Sequence, residues 1–540
     1  MEKEFVKTEY GKPSGRILNF RPCFFTVVFL ALGIVFADLT IVYAVPKWWG
    51  IVVPILTFGS YLLSRKRSVL VACAVLFLAF TVGFFAYSEK ATAFTSNPYI
   101  KKKTSVYGRV VSSCLLSEHA QMILDGVTID GGRVDGKICV LFPKDFFDVV
   151  NDSDYVFVDG EVKTDNALTG KEKVFPNQFA EDIRYVCFSY VSPRTVKRAF
   201  DPFAYFRERM ERVLYASMTE DSASVAYAIL TGETSGIDNG LLENVRAGGI
   251  AHVFAVSGLH VGTLFGVATF LISKSKRLKR KKWLRFTLVA LFLALYGGVC
   301  GYSSSVLRSG ITCLVGYATT LIGVKFDKIE SLSLAGILLL LLNPVYLFCV
   351  GFQLTFTACY GIFFLAKPIQ VWLEWGYRSI SHATTERDLP CNYSFGKREK
   401  LFSFLSVTLS AQCATAPILL NSFGYLSTWG FLLNCLFVPL FGTLYTCTFA
   451  CVALSCLFPI SFASVLNYLP NLVWSSVLLV FEIVELSTIL NGVVLSFSAF
   501  LAYYLCFLFC TDKFCLSKKW KGGFLMLFLA CFVLSILFIL

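Results

Sequence analysis

The chain has 540 residues, 56% of them hydrophobic and only 16% charged, against about 25% charged in an ordinary soluble domain. With a mean hydropathy of +0.65, it carries more apolar surface than a water-soluble core can hide, which excludes a soluble globular enzyme and points to a polytopic membrane protein. The net charge of +13 invites a nucleic-acid reading, but the basic residues sit where topology alone would put them.

The first 22 residues are polar and basic, and no small-residue cleavage site follows the first apolar run, so no removable signal peptide is expected. Apolar stretches then run at 24–44, 48–63 and 68–87, and again at 251–272, 286–301, 306–324, 330–345, 347–366, 401–421, 429–456, 463–487, 490–510 and 523–540. The fold class expected is a polytopic α-helical membrane protein of about 11–13 spans, with a small extracytoplasmic β domain of OB-like type after the third span. The chain divides into N-terminal membrane helices (1–94), the β domain (95–200), a connecting amphipathic and helical segment (201–250), a larger transmembrane domain (251–510), and a C-terminal basic loop with the last span (511–540).

Charge supports one topology. Lys274–Arg285, KSKRLKRKKWLR, carries eight basic side chains in twelve positions. Further clusters lie at Arg65–Arg67, Arg378–Lys400 and Lys513–Lys521. With the N-terminus in the cytoplasm, alternation over the listed stretches puts every cluster on the cytoplasmic side of an inner membrane, as the positive-inside rule requires, and residues 95–200 outside. For Lys274–Arg285 a topology anchor or contact with anionic lipid is the commoner explanation.

The polar segment Thr95–Phe200 holds 14 basic and 14 acidic residues. Short runs rich in Val, Ile, Phe and Tyr predict strands at Ser105–Val111, Ala120–Ile129, Lys137–Phe142, Tyr155–Val162 and Ile183–Val191, separated by turn pairs such as Asp125–Gly126 and Asp159–Gly160. Five such strands suit a small barrel, and pattern alone does not separate that from a sandwich. Phe203–Met218 reads as an amphipathic helix returning toward the membrane. The nineteen cysteines are scattered without C-x-x-C spacing and read as small hydrophobes; no disulfide among Cys114, Cys139 and Cys187 is indicated.

Four stretches carry a family resemblance. They are Gly248–Gly262 (GGIAHVFAVSGLHVG), Gly301–Gly310 (GYSSSVLRSG), Asn343–Pro344 with Gly351–Phe356 (GFQLTF), and Gln412–Pro417 followed by Asn434 and Pro439. The first resembles the signature of the ComEC family, with His252, Ser257, Gly258, His260 and Gly262 on its matching positions. Ser304 stands where that family often has proline. The resemblance implies a channel for uptake of single-stranded transforming DNA. It also implies partners: single-stranded DNA, membrane lipids, a DNA receptor outside, an ATPase or single-strand binding protein inside, a separate nuclease, and a second copy in a homodimer. Many members continue into a metallo-β-lactamase-like domain, whose two-metal site needs clustered His and Asp. Here the four histidines, His119, His252, His260 and His382, form no H-x-H-x-D-H run. Neither nuclease nor ATPase activity is expected of this sequence, and no metal or cofactor.

Each candidate has a plainer reading beside it. His252, Ser257 and His260, with Gly258 and Gly262, suit a polar path or a helix interface; a Ser–His hydrolase lacks an orienting carboxylate and the G-x-S-x-G pattern. Arg308, after Ser304, suits phosphate, a carboxylate or snorkelling. Gln353, Gln412 and Asn434 line a pore or glue helices. In the β domain, Lys101, Lys102, Lys103, Arg109 and Tyr107 are the DNA-contact candidates, with Tyr155, Phe157 and Phe142 as further aromatics or core. Asp38, Glu482 and Glu485 receive no role. A non-transporting scaffold is the alternative from another class.

Overall fold

The computed structural model describes residues 21–42, 67–95, 101–115, 119–149, 153–164, 176–198, 200–234, 236–250, 256–279, 281–323, 328–384, 395–427, 430–483, 489–491, 500 and 503–504. The expected spans at 48–63 and 523–540 lie outside the described residues, as do His252 and all but five positions of 490–510. Among the described residues, seven helices are long and apolar enough to cross a membrane: Pro22–Ile41, Cys73–Phe94, Lys282–Val299, Ser305–Ile322, Val350–Tyr377, Lys400–Phe423 and Leu440–Leu457. The multi-pass class stands. These helices do not test the count of 11–13, because the spans expected at 48–63, 523–540 and most of 490–510 lie outside the described residues; the helix expected at 251–272 begins at Gly258 and that expected at 330–345 spans Lys328–Leu342. Apolar composition extended both predictions past the turns that start and stop the helices.

Contacts divide the chain into two compact units, 23–353 with 432–488, and 1–22 with 354–431 and 489–540. The first unit opens with α1 (Pro22–Val42) and α2 (Arg67–Thr95). They cross backbone to backbone: a Cβ on Gly33 would stand 2.1 Å from Phe80 O, and one on Gly83 would stand 2.3 Å from Leu30 O. Small residues permit this approach, which stabilises helix pairs where no water is available to drive apolar association. On the same two helices, Tyr87 Oη donates to Asp38 Oδ1 at 2.5 Å, so the half-buried acid has a partner.

The β domain follows. Its main strands are β1 (Lys101–Leu115), β2 (Ala120–Ile129), β3 (Lys137–Phe142), β4 (Tyr155–Thr164), β5 (Ile183–Phe188) and β6 (Arg194–Lys197). The first five close a barrel in the order β1-β2-β3-β5-β4-β1, antiparallel except for β3 with β5. β6 extends the sheet alongside β4. Two register shifts in β1, at Tyr107/Arg109 and Val110/Ser112, give the bend that closure needs. Val106, Val110, Met122, Leu124, Ile138, Val140, Phe142, Val156, Val158 and Val162 fill the interior on alternate positions. Cys139 and Cys187 are buried inside the barrel.

The short helix α3 (Pro176–Ala180) pins the barrel to the helices. Phe179 packs edge-on against Tyr87 and Phe94, Ala180 O accepts from Asn343 Nδ2 at 2.8 Å, and Arg184 Nη1 donates to Ala93 O at 3.3 Å. The chain then enters α4 (Pro202–Ser217), capped by Asp201, whose Oδ1 accepts from Phe203 N at 2.8 Å. α5 (Glu220–Thr231) buries nine of its twelve residues, mostly small ones, in the centre of the unit. α6 (Asn239–Ala247) leads to α7 (Gly258–Lys274), α8 (Lys282–Val299), α9 (Ser304–Ile322) and α10 (Lys328–Leu342). A single 3₁₀ turn, Pro344–Phe348, joins α10 to α11 (Val350–Thr384).

Most of α13 (Gly430–Leu457) and all of α14 (Ala463–Ile483) return to this unit. The seam between α14 and α4–α5 is polar: Asn467 Nδ2 donates to Ser217 Oγ, Asn471 Oδ1 accepts from Thr219 N, and Ser475 Oγ meets Ser222 Oγ at 3.0 Å. Trp474, fully buried, packs at a tilt against Phe441, with ring centroids 5.6 Å apart, and donates to Thr448 Oγ1.

The second unit is built on the remainder of α11 and α12 (Phe395–Phe423). Their axes approach closely at Gly361, where a Cβ would lie 2.3 Å from Ala414 Cβ. Pro417 lies inside α12 and has no N–H for the carbonyl of Cys413 four residues back. Tyr503 Oη donates to Cys413 O at 2.7 Å, supplying the donor that Pro417 lacks, and Tyr504 Oη donates to Ala414 O at 2.8 Å.

Candidate functional site

The first matched segment folds as a helix start. Ser257 is the N-cap of α7 and His260 its third residue; the Ser257 N–H donates to His260 Nδ1 at 3.0 Å. This is a capping box in which histidine takes the place of the usual Glu or Gln. Because Nδ1 accepts, the imidazole proton resides on Nε2. Ser257 Oγ lies 3.4 Å from the same Nδ1, so one ring nitrogen serves both groups of Ser257.

His260 has no exposed surface, and its ring centroid is 4.5 Å from that of Tyr445 on α13. Tyr445 Oη donates to Tyr296 Oη of α8 at 2.9 Å, and Tyr296 Oη donates to Leu230 O of α5 at 3.4 Å. Four helices thus meet on one buried polar string. The sequence analysis missed Tyr296 and Tyr445; a hydroxyl inside an apolar run, beside Gly297–Gly298 for Tyr296, is the signal that marks them.

The second and third segments come to the same place. A Cβ on Gly258 would meet Ser309 Oγ of α9 at 3.2 Å, and one on Gly351 would lie 2.8 Å from Arg308 Nη2. Arg308 is 3% exposed. The guanidinium lies beneath the start of α11 and does not reach a solvent surface, which removes the snorkelling reading. Gly351 is the residue that leaves room for it. Gln353 Nε2 donates to Leu347 O at 3.0 Å and Asn343 Oδ1 accepts from Val345 N, so the two amides bracket the 3₁₀ turn. Ser304 is the first residue of α9.

Asn434 lies on α13, 7% exposed, with Oδ1 buried and without a hydrogen-bond partner among the described residues. Gln412 belongs to the second unit, half-buried one turn before Pro417, and its carbonyl accepts from Thr415 Oγ1. Gly262 lies within α7, four residues beyond Gly258.

In the barrel, Lys103, Tyr107 and Arg109 occupy alternate outward positions of β1, opposite Glu161, Phe157 and Tyr155 of β4. Tyr107 stacks on Tyr155 with centroids 5.9 Å apart. Arg109 Nη2 donates to Ser153 Oγ, which donates to Asp201 Oδ2, so Arg109 also ties the barrel to the cap of α4. Lys101 and Lys102 pair through their backbones with Lys163 and Val162. Of the aromatics, Phe142 is core, whereas Tyr155 and Phe157 are half-buried on the outer face.

Apolar helices and a buried polar convergence around α7 define a multi-pass membrane protein with a small β-barrel domain. Residues 229–519 match the family model described as Competence protein. That is more than half of the chain, and the chain belongs to this family. It is 27% identical over 221 residues to ComE operon protein 3 of Bacillus subtilis (strain 168), covering 41% of this chain and 25% of that protein. It is 29% identical over 132 residues to Uncharacterized protein MG316 of Mycoplasma genitalium, covering 24% of this chain and 32% of that one. The chain therefore spans about a third or less of the length of these curated relatives. No solved structure matches it.

Proposed function

We propose that this chain is an inner-membrane channel for uptake of single-stranded transforming DNA, with residues 95–200 outside and the N-terminus in the cytoplasm. The observation that carries the proposal is the convergence of three matched segments, through Ser257–His260, Arg308–Ser309 and Gly351, on one buried locus. Buried ionisable groups among apolar helices are retained where a polar path or substrate needs them, and Asn434 presents an open acceptor on the neighbouring α13. Family membership supports the same reading. The strand order of the barrel, with β3 and β5 parallel, supports an OB-type domain, a fold that handles single strands.

His260, Arg308 and Asn434 are buried from solvent. Import on this reading needs an opened state in which Arg308 meets phosphate. Each phosphate crossing a negative-inside potential moves uphill by about 2.3 kcal/mol per 100 mV, so a motor or strand-binding protein on the cytoplasmic side supplies the pull. On this reading the Ser257–His260 pair serves as a helix cap.

The burial of these side chains also suits the second reading, a non-transporting scaffold of the uptake machinery. Uptake of labelled DNA by cells carrying Arg308→Gln or Gln353→Ala separates the two. Lost import at normal protein level and normal surface DNA binding supports the channel; unchanged import in both variants refutes it in favour of the scaffold.

A further inference from the structure

The barrel carries a cavity of about 300 Å³, bounded by His119, Leu141, Lys144, Asp145, Phe188 and Tyr190. Strand direction fixes where it lies. α3, held to Asn343, feeds β5 at Ile183, so β5 runs away from the helices and ends at Phe188. β3 is parallel to it, with Leu141 opposite Phe188, and β2 begins alongside, with Ala120 opposite Phe142. The cavity therefore opens at the end of the barrel farthest from the helix bundle.

Its chemistry is mixed in a particular way. Lys144 and His119 offer cationic or donor groups on one rim. Asp145 adds a carboxylate, which disfavours a bare phosphate and favours a ligand that presents hydrogen-bond donors next to its anionic group. Tyr190 is 83% exposed, an unusual state for a ring that normally buries its face. One face of Phe188 is taken by Lys163, whose Nζ lies 5.0 Å from the ring centroid, leaving Tyr190 as the ring open for stacking. A volume of this size is at the small end of ligand sites, too small for a duplex.

We propose that this distal cavity takes one nucleotide of an unpaired DNA strand. The base stacks on Tyr190, its donor edge meets Asp145, and its phosphate faces Lys144 and His119. The inference rests on the single-strand reading given above and names the part of the chain that meets the strand first.

The test is binding of a short, unstructured, labelled oligodeoxynucleotide to the full chain in detergent, across a salt series. Tyr190→Ala is expected to weaken binding about ten-fold, the scale of one lost base–aromatic stack, with Tyr190→Phe restoring it. Lys144→Gln is expected to reduce the slope of log affinity against log salt by about one, and Tyr190→Ala to leave that slope unchanged. The proposal is overturned if both variants bind like the parent chain, or if inorganic phosphate displaces the oligonucleotide as well as deoxycytidine monophosphate does. Loss of cavity binding effects with import still abolished by Arg308→Gln removes this inference and leaves the channel. Intact cavity effects with import unchanged by Arg308→Gln and Gln353→Ala remove the channel and leave the cavity as a DNA site.

Discussion

His260 offers the sharpest separation of structure from function. Truncation to Ala removes two things that the geometry quantifies. One is the bond from Ser257 N at 3.0 Å, the cap of α7, with caps of this kind contributing about 1 kcal/mol. The other is a ring with no exposed surface, packed 4.5 Å from Tyr445. Large-to-small changes at such sites cost about 2–4 kcal/mol, depending on how far the neighbours relax. His260→Ala should therefore lose about 3–5 kcal/mol and unfold several degrees lower in detergent. Gln fits the third position of a capping box and keeps an acceptor for Ser257 N–H, so His260→Gln should lose about 1 kcal/mol. Thermal unfolding of both variants, beside DNA import, reads the two effects apart. If His260→Gln unfolds as early as His260→Ala, the capping argument is wrong. If it is stable yet import is lost, the imidazole acts beyond its structural place.

Gly33→Ala and Gly83→Ala each drive a methyl group into a backbone carbonyl of the partner helix, which cannot rotate away; each should lose about 1–3 kcal/mol, seen as faster proteolysis between α1 and α2. Tyr503→Phe should destabilise the native chain by about 1 kcal/mol but have little effect in a Pro417→Ala background, where residue 417 supplies the missing N–H; additive effects would refute the link. Burial, then the charges of Glu233 and Glu208, raise the carboxyl of Glu211 above its ordinary range. Its protonated form is favoured in the fold, so its stabilising contribution is full below the ordinary carboxyl range and is lost as pH rises through the raised value. Glu211→Gln should therefore leave the unfolding midpoint unchanged in acid and raise it at neutral pH.

Local chemistry made much of this protein legible. The strands predicted at Ala120–Ile129 and Lys137–Phe142 have those bounds in the structure, and the amphipathic helix predicted at Phe203–Met218 spans Pro202–Ser217. These elements are set by alternation, turn pairs and a capping aspartate, all within a few residues. Span bounds were less legible, because hydropathy records that a segment is apolar without recording whether lipid or protein surrounds it. α10 is apolar, yet only fifteen residues long and largely buried.

The candidate site shows the same division. Composition and the four segments, taken alone, determined the membrane class, the family and the residue types gathered in it. Only the tertiary structure decided that His260 leans on Tyr445, that Tyr445 bonds Tyr296, and that Gly351 leaves room for Arg308. The reason is range. Caps and turns are encoded by neighbours along the chain, whereas Arg308 and Gly351, or Tyr296 and Tyr445, become partners only when separate helices pack, and no pattern within either segment specifies the other.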